Sequence, residues 1–281
     1  MKLRLMSNNQ WLCDKNQPDW EAKGMDCSPT VRERAFARVY HEVSPDVVGL
    51  QEVSGIMADK LVRYLAEAGE RYALLWGKDT PILYRQEKFE LVNSDFALYP
   101  EEFPGHEGCF NNNKSKSWNI AVFRVKETGK EFVFATTHLW WKSSNPQAQN
   151  YQPFSDEAKA YQLQLLIARV EEFRAEYGNC PAVIVGDMNA DYNAKVVQAA
   201  LAAGYVHGHD AAVEYANNEH GYHWCGKDGF VPYVPQPFEK GIDHILIKGA
   251  PEGFVRRFDR TTPEYYLPVS DHSPVWIDVE Y

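Results

Sequence analysis

The feature of this sequence that most constrains the fold is the apolar run Pro181–Val185, which leads into Gly186-Asp187-Met188-Asn189. Continuous, mostly β-branched residues predict a short strand that is buried on both faces. Gly186 lets the backbone approach a ligand closely, and in an extended segment Asp187 and Asn189 point to the same side. The carboxylate can accept a proton or hold a metal, and the carboxamide can donate to an oxyanion. The alternative is a plain turn that closes a strand.

Other polar residues follow or interrupt apolar β-like runs in the same way: Asn9, Glu52, His138, Asp243, Asp271 and His272. Their shared placement predicts one polar site at strand ends, together with Asp187 and Asn189. Carboxylate and carboxamide oxygens suit a hard cation such as Mg²⁺, whereas a zinc site would contain more His or Cys. Two histidines near a carboxylate can bind or protonate a phosphate.

Helices and strands alternate along the chain. Helical spacing and cap residues predict helices at Val31–Glu42, Ile56–Ala68, Ser155–Tyr177 and Asn193–Ala203. Apolar segments between turn residues predict an antiparallel meander of Tyr72–Trp76, Pro81–Tyr84 and Phe89–Asn93. A strand pair follows at Trp118–Val125 and Glu131–Thr137, and two strands close the chain at Ile242–Ile247 and Pro274–Val279.

Several segments have weaker patterns. Tyr99–Lys116 is rich in Pro, Gly, Asn and acidic residues, which predicts an exposed loop with little core. His207-Gly208-His209-Asp210 is interpreted as a solvated loop rather than a second metal site, since no supporting cluster lies elsewhere, and the same holds for His220 and His223. Trp140, Trp141 and Tyr151 are either loop-packing aromatics or a platform for a sugar or base.

The composition indicates one globular domain over residues 1–281. The formal net charge of −10 disfavours tight sequence-independent binding to long nucleic acid, because such binding needs Lys and Arg to neutralise phosphates. The sequence has no apolar run of about 18 residues, so we expect no membrane span. No signal region is visible, so we expect a cytoplasmic protein; the alternative is a secreted protein whose signal has been removed. The five cysteines are widely spaced, which indicates neither a disulfide framework nor a zinc site.

At this point the sequence resembles the Mg²⁺-dependent endonuclease/exonuclease/phosphatase superfamily, which includes DNase I, exonuclease III and inositol polyphosphate and sphingomyelin phosphodiesterases. The blocks that carry the resemblance span almost the whole chain in the family's order: Leu5-Met6-Ser7-Asn8-Asn9, Leu50-Gln51-Glu52-Val53, Thr136-Thr137-His138-Leu139, Gly186-Asp187-Met188-Asn189, Gly241-Ile242-Asp243-His244-Ile245 and Ser270-Asp271-His272-Ser273-Pro274-Val275. The first block has Asn8 where the family usually has an aromatic, and we assign the family's asparagine to Asn9 by register. The His138 block continues with Trp140-Trp141 where several members have an Asp.

The resemblance implies a DNase I-like four-layer α/β sandwich, in which two central mixed sheets are flanked by helices. It implies that Glu52 is the principal ligand of Mg²⁺, for which Mn²⁺ can substitute, with Asn9 and Asp271 completing or supporting the metal site. Asp187 resembles the residue that orients or deprotonates the attacking water, and Asn189 the donor to a phosphate oxygen. The resemblance further implies that His272, held by Asp243, and His138 contact the scissile phosphate.

We therefore expect a metal-dependent hydrolase of phosphodiester or phosphomonoester bonds, acting on a phosphorylated small-molecule or nucleotide-type substrate. The first alternative is a DNA or RNA nuclease of the exonuclease III or DNase I kind, with Lys114, Lys116 and Lys142 contacting the nucleic-acid backbone; the acidic charge disfavours it. A second alternative, a non-catalytic binding module on the same fold, predicts missing site residues, and all of the blocks retain theirs.

Overall fold

The computed structural model describes residues 1–12, 17–22, 24–215, 219–226, 229–261, 263–266 and 269–281, and of residues 19, 219–236 and 264 it describes the backbone alone. The side-chain interpretation of His220 and His223 therefore lies outside the described residues. Within the described ranges, the α-helices are α1 (Pro18–Glu21), α2 (Pro29–Val43), α3 (Gly55–Glu67), α4 (Ser155–Glu176) and α5 (Lys195–Ala202). No helix in these ranges is long and apolar enough to cross a membrane.

The strands form two large sheets and a separate hairpin. The first sheet contains, in chain order, β1 (Lys2–Asn9), β2 (Val47–Gln51), β3 (Tyr72–Leu75), β4 (Ile82–Arg85), β10 (Glu214–Tyr215), β14 (Val255–Arg260) and β15 (Val275–Glu280). The second contains β5 (Phe89–Leu98), β6 (Ser117–Val125), β7 (Glu131–His138), β8 (Ala182–Asp187), β9 (Val206–His207) and β13 (Asp243–Lys248). The hairpin consists of β11 (Glu219–Gly226) and β12 (Gly229–Pro237).

Both large sheets are mixed. In the first, with the order β10-β14-β15-β1-β2-β4-β3, β1 runs parallel to β2 and antiparallel to β15. In the second, with the order β5-β6-β7-β8-β13-β9, β8 runs parallel to β7 and antiparallel to β13. As a result, β1, β2, β7 and β8 all point their carboxyl ends toward the polar residues identified in the sequence.

The two sheets pack face to face, and helices cover their outer faces. Leu5, Val185 and Ile277 belong to the core between the sheets. Helices α2 and α3 cover the outer face of the first sheet, and α4 and α5 cover that of the second. In β8, Val183 and Val185 face the core between the sheets and Ile184 faces the helices, which explains why the whole run is apolar. The four-layer α/β sandwich is thus confirmed.

Local sequence accounts for the helix boundaries near the site. Pro29 opens α2, where its missing N–H costs nothing, and the helix ends at Ser44 in a left-handed conformation. The hydroxyl of Ser54 accepts a hydrogen bond from the Met57 N–H and caps α3. Helix α3 therefore begins directly after the strand end that carries Glu52.

The predicted antiparallel meander is wrong in its third strand. The segment Phe89–Asn93 belongs to β5, which pairs with β6 in the second sheet. Strand β4 already has β2 on one edge and β3 on the other. Since no edge of β4 is left for β5, residues 86–88 carry the chain from one sheet to the other.

The predicted loop Tyr99–Lys116 is not simply exposed. Phe103 and Phe110 form a small buried cluster with Trp140 and Ala158 of α4. The expectation failed because a segment rich in Pro and Gly can still dock aromatic side chains against a helix.

Candidate active site

Two glycines allow the strands to meet at the polar end of the sandwich. A Cβ atom on Gly49 of β2 would lie 2.5 Å from Val185 Cγ2 in the opposite sheet. At Gly186 the φ angle is +150°, and a Cβ atom would lie 2.0 Å from the Thr137 carbonyl oxygen of β7. Any other residue would collide with its neighbour, so both positions require glycine. The ends of β2, β7 and β8 therefore lie side by side.

Asn9, Glu52, His138 and Asp187 come together at these strand ends. Asn9 Nδ2 donates to Asp187 Oδ2 at 2.9 Å and lies 3.5 Å from Glu52 Oε1. His138 Nε2 lies 3.5 Å from Asp187 Oδ2 and 3.7 Å from Glu52 Oε1. Glu52 is the most accessible of the ionisable members, with 21% of its side chain exposed against 2–3% for Asp187 and His138.

Asn9 faces this cluster, whereas Asn8 faces away from it. The Asn8 side chain accepts a hydrogen bond from Tyr40 Oη at 2.6 Å and contacts Tyr266 Oη at 2.9 Å. Consecutive strand residues point to opposite sides. The geometry thus agrees with the register chosen from the sequence. The Asn9 Oδ1 atom accepts a hydrogen bond from the Trp11 N–H at 2.8 Å, so its Nδ2 atom is the one directed at the carboxylates.

His272 lies on the other side of Asp187. Its Nδ1 atom is 2.8 Å from Asp243 Oδ2, and its Nε2 atom is 3.8 Å both from Asp187 Oδ2 and from Asp271 Oδ1. Asp243 is paired with Asp187 across the β8–β13 ladder. The sheet register therefore places a carboxylate behind His272 while its other nitrogen faces the cluster.

The loop after β8 holds Asn189 in an unusual backbone conformation. Asn189 has a φ angle of +49°, and its N–H donates to Asp187 Oδ1 at 2.8 Å. Its side-chain Nδ2 donates to the Leu139 carbonyl at 3.1 Å. Glu52 also has a positive φ angle, +59°. Such conformations are uncommon outside glycine and are concentrated at functional sites.

Lys116 is a site residue whose position the sequence reasoning missed, since it was grouped with Lys114 as a surface cation. Its side chain is buried, and its Nζ atom lies within hydrogen-bond distance of His138 Nε2. A signal was present: Lys116 directly precedes β6, and Ser117 pairs with His138 in the β6–β7 hairpin. The hairpin register therefore brings Lys116 to the end of β7.

Burial and neighbouring charges separate the two site histidines. Burial, aided by the positive charges of Lys116 and His272, holds the pKa of His138 well below its ordinary value. Burial would lower the pKa of His272 too, but Asp243 and Asp271 outweigh it and hold that pKa well above the ordinary value. At neutral pH, His138 is neutral and His272 is an imidazolium.

Burial also moves the pKa values of other ionisable groups in the site toward neutral pH. It raises the pKa of Asp187 to about 6, an effect that Asp243 reinforces and His272 opposes. It raises the pKa of Asp271 to about 6, although His272 opposes the rise. It lowers the pKa of Lys116 to about 8, against the opposing effect of Glu52 and Asp187. Groups with shifted pKa values are typical of active sites.

The cluster lines a cavity of about 470 Å³. The wall contains the aromatic residues Trp11, Trp140 and Trp141 and the neutral polar residues Asn112, Asn113 and Ser115. Trp140 is buried against Phe110, whereas 45% of Trp141 is exposed. The cavity is therefore lined by the ionisable cluster together with aromatic and neutral polar residues, and the carboxylate of Asp79 also lines it.

The residues present fit a hard divalent cation. Two groups of side chains place their potential ligand atoms within 4.8 Å of one another, Glu52-His138-Asp187 and Asp187-Asp243-His272. The buried Oδ1 atom of Asp271 has no hydrogen-bond partner among the residues that the structure describes. A buried carboxylate oxygen without a hydrogen bond is costly unless it binds a ligand. Oxygen donors from Glu52 and Asp271 suit Mg²⁺ better than a soft metal.

The fold is similar to that of several solved structures. An endonuclease/exonuclease/phosphatase family protein from Bacteroides thetaiotaomicron aligns with a TM-score of 0.74 at 20% identity, covering 99% of this chain and 95% of the other. A mannosyl-6-phosphatase from the same species aligns at 0.71 and 19% identity, covering 99% and 100%. D. rerio TDP2, complexed with a single-strand DNA product, aligns at 0.66 and 19% identity, covering 100% and 99%.

No curated protein matches the sequence. The model of the Endonuclease/Exonuclease/phosphatase family, however, matches residues 27–272, which is most of the chain. The matched range contains all of the site residues described above except Asn9. Taken with the architecture and the assembled strand-end cluster, this match shows that the chain belongs to the endonuclease/exonuclease/phosphatase family and is a hydrolase of phosphoester bonds.

Proposed function

We propose that this protein is a Mg²⁺-dependent hydrolase of a small or moderately sized phosphorylated substrate, with residues 1–281 forming a single catalytic domain. The observation that carries the proposal is the contact of Asp187 with Asn9, His138 and His272 beside a cavity of about 470 Å³. Phosphoester hydrolysis depends mainly on positioning and charge stabilisation, and this cluster supplies both.

Glu52 and Asp271 would hold the metal ion, and Asn9 would support the metal site by donating toward Glu52 and Asp187. When bound, Mg²⁺, or Mn²⁺ in its place, neutralises charge on a phosphate oxygen and on the leaving group. Glu52 lines the cavity, and Asp271 Oδ1 is buried without a hydrogen bond, and both observations support this assignment.

The remaining residues act on water and phosphate. Asp187, with a pKa of about 6, can orient an attacking water and accept its proton near neutral pH. The His272 imidazolium, held by Asp243, can donate a hydrogen bond to a phosphate oxygen. His138 faces the same space through Nε2, and Lys116 adds a positive charge there. Asn189, fixed by its bonds to Asp187 and Leu139, can donate its second amide proton to the phosphate.

The surroundings of the site favour a small substrate over nucleic acid. Of the lysines that a nuclease would use, Lys116 is buried in the site and Lys114 lies 3.6 Å from the Glu101 carboxylate. Lys142 Nζ lies 5.7 Å from the rings of both Trp140 and Trp141. These cations do not form an exposed basic track. The neutral wall of Asn112, Asn113 and Ser115 instead suits a hydroxyl-rich or nucleotide-sized group.

Turnover of a substrate panel tests the proposal. The panel contains sugar phosphates, inositol phosphates, bis-p-nitrophenyl phosphate, RNA and single-stranded DNA, each with Mg²⁺ and with EDTA. We expect turnover of small phosphoesters that requires the metal and changes little between low and moderate salt. Preferential turnover of nucleic acid, with activity that falls steeply as salt rises, would favour the nuclease alternative instead.

A further inference from the structure

A chain of hydrogen bonds lies behind the catalytic loop, outside the cavity. His207 of β9 and His244 of β13 are almost completely buried, at 1% and 2% exposure. The His209 N–H donates to His207 Nδ1 at 3.2 Å, His207 Nε2 lies 3.1 Å from His244 Nδ1, and His244 Nε2 lies 2.8 Å from the Ala190 carbonyl oxygen. We call this chain the histidine relay. It ends on the residue that follows Asn189.

The bonding partners fix the proton positions in the histidine relay. The Ala190 carbonyl can only accept, so His244 Nε2 carries a proton. A neutral His244 then accepts at Nδ1, which requires a proton on His207 Nε2. His207 Nδ1 in turn accepts from the His209 N–H. Every ring nitrogen of the two histidines therefore has a hydrogen-bond partner when both rings are neutral. Protonation of either ring would place two hydrogen-bond donors against each other.

The charge state agrees with this arrangement. Burial lowers the pKa of His244 to about 4, and burial together with the neighbouring His244 and Arg260 holds that of His207 well below its ordinary value. The interpretation of His207 and His209 as a solvated loop is therefore wrong. His209 also stacks on Phe238, with ring centroids 3.5 Å apart.

We propose that the histidine relay positions the Asp187–Asn189 loop for catalysis, through the bond from His244 to the Ala190 carbonyl. The inference rests on the function proposed above for Asp187 and Asn189. His207 and His244 do not line the cavity, so they are positioning residues.

The loop depends on the bond from His244 because the neighbouring hydrogen bonds hold only the residues on either side of Asn189 and Ala190. The Met188 N–H donates to the Ile242 carbonyl at 2.9 Å, and the Tyr192 N–H to the Glu239 carbonyl at 2.9 Å. Both are backbone bonds on either side of the left-handed Asn189. Between them, the Ala190 carbonyl is held by a side chain. Loss of that bond would let Asn189 relax and move its N–H away from Asp187 Oδ1.

The relay also connects the two halves of the site. Asp243 and His244 are consecutive in β13 and therefore point to opposite faces of the sheet. One holds His272 and the other holds the Asp187–Asn189 loop. A single strand thus sets the relative position of the imidazolium and the loop carboxylate.

Two substitutions of His244 distinguish the loss of the hydrogen bond to Ala190 from a loss of packing. In His244→Gln the side-chain amide can occupy the place of Nε2 and still donate to Ala190. In His244→Asn the amide can occupy only the place of Nδ1. We expect His244→Asn to lower kcat by roughly 10- to 100-fold with KM within about twofold. His244→Gln should restore most of kcat. Leu246→Val, a buried change on the same face of β13, is the control and should lower Tm without lowering kcat.

Imidazole nitrogen NMR tests the histidine relay without any turnover. At neutral pH, both His207 and His244 should carry a proton on Nε2 alone, and the amide resonances of residues 187–191 should shift in His244→Asn but not in His244→Gln. A proton on Nδ1 of either ring, or equal kcat values in both variants, would overturn the inference. If the wild type turns over no phosphoester while the tautomers and loop shifts are as expected, the proposed function is wrong. The conclusion that the histidine relay positions the loop would still hold.

Discussion

The two faces of β13 lie against histidines in opposite charge states. On one face, His272 is held as an imidazolium by the carboxylates of Asp243 and Asp271. On the other face, His207 and His244 are kept neutral by burial and by partners that fix one tautomer. All three rings are desolvated, so burial does not set the difference. The neighbouring carboxylates decide which ring acts on phosphate and which rings support the loop.

The largest expected effect comes from removing the carboxylate on the charged face. Asp243→Asn should lower kcat by about 100- to 10,000-fold, because His272 loses the partner that orients it and raises its pKa. Since an imidazolium with a lower pKa deprotonates at lower pH, the alkaline limb of the pH–rate profile should move to lower pH. Steady-state kinetics across pH measures both changes. An unchanged alkaline limb would show that Asp243 does not set the charge of His272.

Lys116 offers a second way to change the charge balance at the site. Lys116→Met removes a buried ammonium group beside His138 and should lower kcat/KM by about 100-fold, the order expected for one preorganised electrostatic contact. Lys114→Met, an exposed change in the same segment, is the matched control and should have little effect. Equal losses in the two variants would indicate general surface electrostatics rather than a site role for Lys116.

The buried, neutral His244 should make the free energy of unfolding depend on pH. The pKa of His244 is about 4 when folded, below the unfolded value of about 6.5. Between these values the unfolded chain binds more protons, so stability falls as pH decreases. From pH 6.5 to pH 5, His244 alone should remove about 1.6 kcal/mol from the free energy of unfolding.

Urea unfolding of wild type and His244→Gln at these two pH values isolates that contribution, because the variant has no imidazole to protonate. The acid-induced loss of stability should be smaller in the variant. Identical losses would mean that His244 is already protonated in the folded protein.

The smallest expected effect comes from the exposed aromatic ring of Trp141, which lines the cavity. Trp141→Ala removes an exposed ring from the wall and should raise KM by a few-fold, on the order of 1 kcal/mol of stacking, with Tm unchanged. Trp140 is buried in the cluster with Phe103 and Phe110, so its truncation would test stability instead. Phe96→Ala, which also removes an exposed ring, is the control. An unchanged KM in Trp141→Ala would exclude the aromatic platform.

Strand periodicity and helix signals predicted the central elements, and the family resemblance implied the layered fold. β8 and β13 lay where the apolar runs placed them, and α2 and α4 began near their predicted residues. Strand β14 was missed because Arg256, Arg257 and Arg260 interrupt its apolar pattern. The sheet that β5 joins was not predictable from its own residues, since it depends on which edges of β4 are already paired.

The candidate site residues were identified from their positions at strand ends, but their charge states were not all predictable. The contact of His272 with Asp243, which raises the pKa of that histidine, was implied by the family resemblance. The position of Lys116 required the β6–β7 register, and the histidine relay required β9, whose two residues carry almost no sequence signal. Side chains that act through tertiary contacts are visible only once strands from distant parts of the chain are aligned.

Turnover of the best small phosphoester by wild type, Asp187→Asn and Asp191→Asn, each with Mg²⁺ and with EDTA, tests the central claim most directly. Asp191 is in the same loop but pairs with Lys240 rather than with the site, so it controls for loop charge. We predict metal-dependent turnover in wild type and Asp191→Asn, and a loss of at least about 100-fold in Asp187→Asn with the fold intact. Turnover that survives EDTA, or that is retained in Asp187→Asn, would contradict a metal-dependent hydrolase built around Asp187.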